Sequence, residues 1–231
     1  MEITPIAHIV NSYVEKFGIP RQAGLAEDVI SRVVFEPEYR NADVLRGLSD
    51  FSHIWLIWEF TEAKRKHTEE QKSWTPTVRP PRLGGNERMG VFATRSPFRP
   101  NPLGLSCVEI DHIDLQTGEG PVIFVRGADL MNGTPIYDIK PYLPYADAYP
   151  DAREGFAETV PHHTLLVEMD EEWYMIYGQT FCEEIREILS QDPRPAYQND
   201  PDRLYGMKYG DCDIRFRVVE GTAIVVEIER E

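Results

Sequence analysis

The sequence predicts a mainly β chain in which a single β-barrel precedes a small α+β domain. Short runs rich in β-branched and aromatic residues, punctuated by Gly, Pro, Asn and Asp, dominate residues 1–149. No long helical period separates them, so they do not read as βαβ units. After Tyr149 the texture changes to an acidic stretch, then a helix and a hairpin. The expected boundaries are 1–149 for the barrel, 150–163 for a linker and 164–231 for the α+β domain.

Element by element, strands are expected over residues 3–10, 29–35, 53–60, 90–94, 105–113, 122–126 and 136–140. Trp55, Trp58 and Phe60 lie in an apolar run and read as core. Ala42, Leu45 and Leu48 recur with a helical period that ends near Gly47 and Asp50. Gly118-Glu119-Gly120 opens no helix and is followed by Pro121, which marks a hairpin turn and not a dinucleotide loop. Residues 164–169 read as a strand. Phe181, Ile185, Ile188 and Leu189 then form the apolar stripe of a helix, with Glu183, Glu184, Arg186 and Glu187 on its wet side and a stop before Asp192-Pro193. Ile214, Phe216 and Val218 alternate with Arg215 and Arg217, a turn falls at Glu220-Gly221, and residues 223–228 complete a hairpin.

Composition narrows the function. Of 231 residues 42% are hydrophobic and 27% charged, which excludes a disordered or fibrous chain. The net charge of −15 argues, taken whole, against a nucleic-acid partner. Cys107, Cys182 and Cys212 are odd in number and scattered, which fits a reducing compartment and neither a disulfide framework nor a metal knuckle. The six histidines show no HExxH or HxH spacing, so no metal is expected. With no signal-peptide pattern and no long apolar run, the expected location is the cytoplasm, away from membranes.

The whole-chain charge conceals a segregation. Residues 79–102 hold Arg79, Arg82, Arg88, Arg95 and Arg99 against one acid, Glu87. Extending back to Lys64 gives nine cations and three acids, so the remainder is more acidic than the average. A cationic patch of this kind attracts a polyanion locally. The tighter stretch uses Arg alone, which favours forked recognition of phosphate or carboxylate. Pro97, Pro100 and Pro102 stiffen it, and Gly84, Gly85 and Gly104 permit close backbone approach to a ligand. An idle surface loop carries the same residues. In residues 127–147 the turn signal Asn132-Gly133 precedes Asp138 and Lys140, which share one strand face. That pair reads either as an ordinary surface ion pair or as a carboxylate and an ammonium converging on a pocket.

Four blocks, EKFGIPRQAGL (15–25), EYRNADVLRGLSDFSHIWLIW (38–58), RPPRLGGNERMGVFATRSPFRPNPLGLS (79–106) and DLMNGTPIYDIKPYLPYAD (129–147), closely resemble the TsaA-like family. QDPRPAY (191–197) and DIRFRV (213–218) resemble the C-terminal domain of its bacterial members. The resemblance implies a β-barrel enzyme that uses S-adenosylmethionine to methylate N6 of the threonylcarbamoyl-adenosine at position 37 of tRNA, beside the anticodon. It also implies a homodimer and a threonine tRNA as partner. By similarity, Gln22, Ala23, Gly24, Thr61, Glu62, Arg95, Leu105, Asp129, Leu130, Met131 and Asn132 would touch the cofactor. Thr61 stands where relatives often have His, and Asn132 where they usually have Asp.

A sulfonium methyl is already electrophilic, so the protein mainly holds donor and acceptor in line. The acceptor nitrogen is conjugated to a urea-like carbonyl and must lose a proton. The expected roles are therefore Asp138 as orienting group or proton acceptor, Arg99 and Asn101 gripping the substrate, and Arg95, Arg99 or Lys140 clamping its carboxylate. Arg79, Arg82 and Arg88 are expected to meet RNA phosphates around splayed anticodon bases. The same residues also fit a cofactor- or RNA-binding module without turnover, or a methyltransferase for another carboxylated acceptor.

Overall fold

A computed structural model of the chain describes residues 2–61, 75–80, 83, 87–159, 164–195, 198 and 200–231. Its first part contains strands β1 (Ala7–Val10), β2 (Ile30–Phe35), β3 (His53–Glu59), β4 (Thr77–Val78), β5 (Met89–Gly90), β6 (Leu103–Thr117), β7 (Gly120–Arg126) and β8 (Pro135–Pro141), followed by a one-turn helix α1 (Pro144–Asp147). Six strands close into a barrel in the order β1-β2-β7-β6-β3-β8, every neighbouring pair antiparallel. Closure removes the sheet edges that would otherwise invite pairing with other chains. The β3 residues Ile54, Leu56 and Trp58 alternate into the interior, where Ile9, Val33, Ile123, Val125 and Ile136 meet them in one apolar cluster. The barrel centre is thus filled, and any site must lie at its rim or on its outer face.

Two expected elements take another form. The strand expected over 90–94 is only the β4–β5 ladder followed by a 3-10 turn, Val91–Ala93. Thr94 donates its N–H and its hydroxyl back to the Val91 carbonyl, closing a turn where a ladder would need both groups to face a neighbour. The helical pattern at 42–48 resolves into two 3-10 turns, Ala42–Leu45 and Leu48–Asp50, split by Gly47 at φ +84°. Asn41 caps the first through its side chain.

The second part holds β9 (Leu166–Glu168), helices α2 (Glu171–Tyr177) and α3 (Gln179–Ser190), then β10 (Tyr205–Tyr209), β11 (Cys212–Val219) and β12 (Thr222–Arg230). They form a sheet ordered β10-β11-β12-β9, with β9 parallel to β12. The β11–β12 hairpin turns at Glu220 and Gly221, both at positive φ, as a two-residue turn of the twist-compatible kind requires. The α3 stripe Ile185, Ile188 and Leu189 is buried against Ile214 and Phe216. Its supposed wet side is in use. Both oxygens of Glu187 accept backbone N–H groups, from Glu27 and Asp28 at 2.7 Å each, and Glu184 accepts from the Tyr209 hydroxyl.

Those contacts show how the two parts are joined. Between β1 and β2 the chain leaves the barrel, and Tyr13, Ala26 and Val29 enter the second core, with Phe17 and Ile19 packed against it. Gly18, at φ +96°, lies against Met207 so closely that a Cβ would stand 2.3 Å from its sulfur. The loop returns to the barrel where the Gly24 N–H donates to the Gly127 carbonyl at 2.9 Å. Gly127 sits at φ +67°, and a Cβ there would come within 3.1 Å of the Gly24 backbone. Among the described residues no helix is long and apolar enough to cross a membrane.

A side chain at Gly127 would press on the Gly24 backbone, which would have to give by a few tenths of an ångström, at a φ that L side chains rarely adopt. Gly127→Ala is expected to destabilise the protein by about 1–3 kcal/mol, combining left-handed backbone strain with the contact. Chemical denaturation of the variant measures this, and an unchanged midpoint would show that the loop can move.

Candidate functional site

A cleft of about 620 Å³ opens where the 16–22 loop faces the rim of the barrel. Five segments build it. The loop brings Arg21 and Gln22. β3 and its continuation bring Trp55, Trp58, Glu59, Phe60 and Thr61. The turn after β5 brings Arg95, Phe98 and Arg99, and the crossing to β8 brings Asp129, Met131 and Thr134. Gly104 of β6 completes the wall, because a Cβ there would stand 2.3–2.7 Å from the Trp58 ring. The indole therefore lies flat on the strand, in edge contact with Phe60 at 4.3 Å.

Behind the indole runs a polar relay. Trp58 Nε1 donates to Ser106 Oγ at 2.9 Å, and Ser106 Oγ donates to Asp129 Oδ1 at 2.5 Å. Burial pushes the Asp129 carboxyl up; the Ser106 hydroxyl, its own backbone, the Arg95 guanidinium and the Ala23 amide pull it back. Arg95 Nη1 donates to Gln22 Oε1, which joins the loop to the Arg/Pro turn. Arg99 Nη1 donates to the Thr94 carbonyl at 2.8 Å, fixing the direction of its fork, and its guanidinium lies 6.0 Å from the Phe92 ring. Glu59 is almost wholly buried and accepts from Tyr137 Oη at 2.7 Å. That bond follows burial in pushing the Tyr137 hydroxyl up to about 12. The site thus combines an aromatic wall, two carboxylates held among donors, Glu59 and Asp129, and three oriented guanidiniums, Arg21, Arg95 and Arg99. Such a set suits a ligand that is part flat ring and part zwitterion.

Of the residues expected at the cofactor, Gln22, Thr61, Arg95, Leu105, Asp129 and Met131 line this cleft. Ala23 and Gly24 stand beside it, holding Asp129 and Gly127. Leu130 is buried in the barrel core. Asn132 is committed to the fold: its N–H donates to the Tyr13 carbonyl at 2.8 Å and its Oδ1 accepts from the Asn11 N–H at 3.1 Å. An Asp would accept that second bond equally, so the departure from the family pattern leaves this contact intact. Glu62 and Arg82 lie outside the described residues.

Of the expected substrate group, Arg99 lines the cleft, whereas Asp138, Lys140 and Asn101 do not. Lys140 Nζ and Asp138 Oδ2 form an ion pair at 2.9 Å between half-exposed side chains. The pair sits on the barrel's outer face, where Trp55 registers with Lys140 and Ile57 with Asp138. Asn101 is exposed, its carbonyl accepting from the Leu103 N–H. Arg79 and Arg88 are exposed, and Arg88 Nε donates to Thr77 Oγ1. Trp55, Trp58 and Phe60, read as core, all line the cleft, and only Trp58 is also buried. Sequence reasoning missed Glu59 and Ser106. Glu59 carried a signal, as the one acid closing an apolar strand, but nothing in the pattern marked Ser106.

A family model described as the tRNA-methyltransferase O N-terminal domain matches residues 8–148, and the TrmO C-terminal domain matches residues 168–231. The tRNA (adenine(37)-N6)-methyltransferase of Escherichia coli (strain K12) is 40% identical over 235 residues, 97% of this chain and 96% of that protein. A Pseudomonas aeruginosa protein, provisionally named an S-adenosylmethionine-dependent methyltransferase, RcsF, is 40% identical over 222 residues, covering 93% of this chain and 91% of that protein. A crystal structure of TrmO from Pseudomonas aeruginosa superposes with a TM-score of 0.77 at 32% identity, over 100% of this chain and 97% of that one.

Because the Ser106 hydroxyl lowers the Asp129 pKa, Ser106→Ala is expected to raise it further. A carboxyl whose folded pKa is raised destabilises the fold as pH climbs through the unfolded and then the folded value. In the variant that loss extends to higher pH. A carboxyl-carbon NMR titration of Asp129 reads the shift directly, and an unmoved or lowered midpoint would remove the relay.

Proposed function

The chain belongs to the TrmO family, and on that premise we infer that it is a tRNA (adenine(37)-N6)-methyltransferase that takes its methyl group from S-adenosylmethionine. We propose further that the acceptor is N6 of threonylcarbamoyl-adenosine at position 37 in a threonine tRNA. The observation that carries this reading is the convergence of Trp58 and Phe60, Asp129, and the Gln22–Arg95 pair on one cleft of ligand size.

The residues fit the donor. Its α-amino acid end is a zwitterion, and Asp129 and Arg95 offer one charge of each sign within the cleft. Its adenine is a flat ring, and the aromatic wall offers faces and edges to it. When bound, S-adenosylmethionine supplies an electrophilic methyl on a sulfonium. The protein's own work is orientation and charge: Asp129 favours the cationic donor, the apolar wall excludes water, and Arg99 offers a fork to the acceptor's threonyl carboxylate. For the proton that leaves N6, the reading retains Asp138, paired with Lys140 on the face that Trp55 shares. Asn101 and Lys140 would steady the substrate.

The reading includes a homodimer, which is supported by apolar side chains left in water near the cleft mouth. Phe92 is 73% exposed and Leu105 56%. RNA contact is supported by the exposed Arg79 and Arg88 beside the mouth segment, with single-stranded anticodon bases as the natural target of aromatic and guanidinium planes.

Incubating the protein with methyl-labelled donor and tRNA from a strain lacking this gene tests the reaction. Nucleoside mass spectrometry should show threonylcarbamoyl-adenosine converted to its N6-methyl form, whereas label in any other nucleoside, or none, would refute the reading. Binding of that tRNA should weaken with salt, with a log–log slope of about −2 to −3 for three or four phosphate contacts in a single-stranded loop. A flat salt dependence would count against the arginine surface.

A further inference from the structure

We propose that the C-terminal domain tunes donor binding through a continuous hydrogen-bond chain that runs from the buried Arg194 to Arg95, with Arg21 as the positioning residue. Arg194 is 8% exposed and forks onto Asp192, Nε to Oδ1 at 2.8 Å and Nη2 to Oδ2 at 2.9 Å. That fork holds Asp192 in the left-handed region, at φ +46°, in the turn that ends α3. The turn's carbonyls are thereby aimed outward. Arg21 Nη2 donates to the Arg194 carbonyl at 3.0 Å and to the Asp192 carbonyl at 3.4 Å. The Arg21 carbonyl in turn accepts from Gln22 Nε2, and Gln22 Oε1 accepts from Arg95 Nη1. Both ends of the Gln22 amide are therefore set by the chain, one by the loop backbone and the other by the guanidinium that faces Asp129.

Packing alone does not place this stretch. Behind it lies a second cavity of about 330 Å³ between residues 16–21 and the end of α3, lined there by Ile188, Gln191 and Pro193. Lys16, Ile19, Pro20 and Arg21 line this cavity and the main cleft alike, so the loop is a partition with space on both sides. Phe17 and Ile19 anchor its first half in the second core. Its second half, which reaches the cleft, is tied by Arg21. Beyond the close Gly18–Met207 contact the far side of the partition opens onto this cavity, so a change in its ties is transmitted to what it carries.

The inference rests on the assignment of the main cleft to S-adenosylmethionine. The test is calorimetric binding of that donor to the full-length protein and to Arg21→Met and Asp192→Asn, each made alone and together with Gln22→Ala. Asp192→Asn keeps a residue tolerant of positive φ while weakening the fork to Arg194, at a place that lines neither cavity. Each single change should weaken donor binding about fivefold, and neither should weaken it further once Gln22→Ala is present, since coupled residues lose additivity. Arg21→Lys should recover part of the affinity. The kcat of Asp192→Asn at saturating donor should stay within about twofold, because Asp192 lines neither cavity and acts on the donor only through Arg21. Full additivity with Gln22→Ala, or a fall in melting temperature with donor affinity unchanged, would overturn the proposal. Failure of the unaltered protein to bind the donor would instead overturn the cleft assignment on which it rests.

Discussion

The structure depends on one constraint: the loop between β1 and β2 has to serve two cores at once. Residues 11–29 leave the barrel after Val10, bury Tyr13 beneath Tyr209 of the second sheet, and return to pair with β7 from Ile30. Burial and the nearby carboxylates of Glu187 and Glu184 push the Tyr13 hydroxyl up, so it stays protonated through the physiological range. The loop's way back is held by Glu187 accepting two backbone N–H groups, charge-assisted bonds stronger than neutral ones. Only with both ends held does the tip, Gln22 to Gly24, stand against Gly127 and close the cleft. The barrel alone would leave that wall missing.

Much of this architecture was legible in the residues. Alternation located six barrel strands within a few positions, because each buries one face and leaves the other half wet. The α3 helix and the β11–β12 hairpin were legible for the same reason, by apolar period and by Glu220-Gly221. The strand β10 was not. Its Tyr205, Met207 and Tyr209 alternate correctly, but Gly206 and Lys208 between them dilute the β-branched signal. Nor was the use of α3's polar face. Glu184 and Glu187 look like solvent residues on a helical wheel, and what occupies them comes from residues far away in the chain.

The site shows the same division. The Arg/Pro motif and the Asp129 block were conspicuous by composition, and the structure brings Arg95, Arg99 and Asp129 into one cleft. The roles of Trp58 and Glu59 were hidden because burial and cleft lining are not exclusive. Trp58 is 6% exposed and yet presents ring atoms to the cleft across Gly104. Asp138 and Lys140 illustrate the converse. Their spacing correctly put them on one face, and register placed that face beside the cleft-lining Trp55, with neither charged side chain in the cleft wall.

The segregation of charge has a kinetic consequence. Arginines gather on the 79–99 stretch, while the α+β region from Glu168 to Glu231 is rich in carboxylates and the whole chain carries −15. A charge separated in this way along the chain gives an approaching polyanion one attractive stretch within a surface that otherwise repels it. Productive encounters are thereby filtered by orientation before any base is read, and the acidic bulk keeps other nucleic acids from lingering elsewhere on the surface.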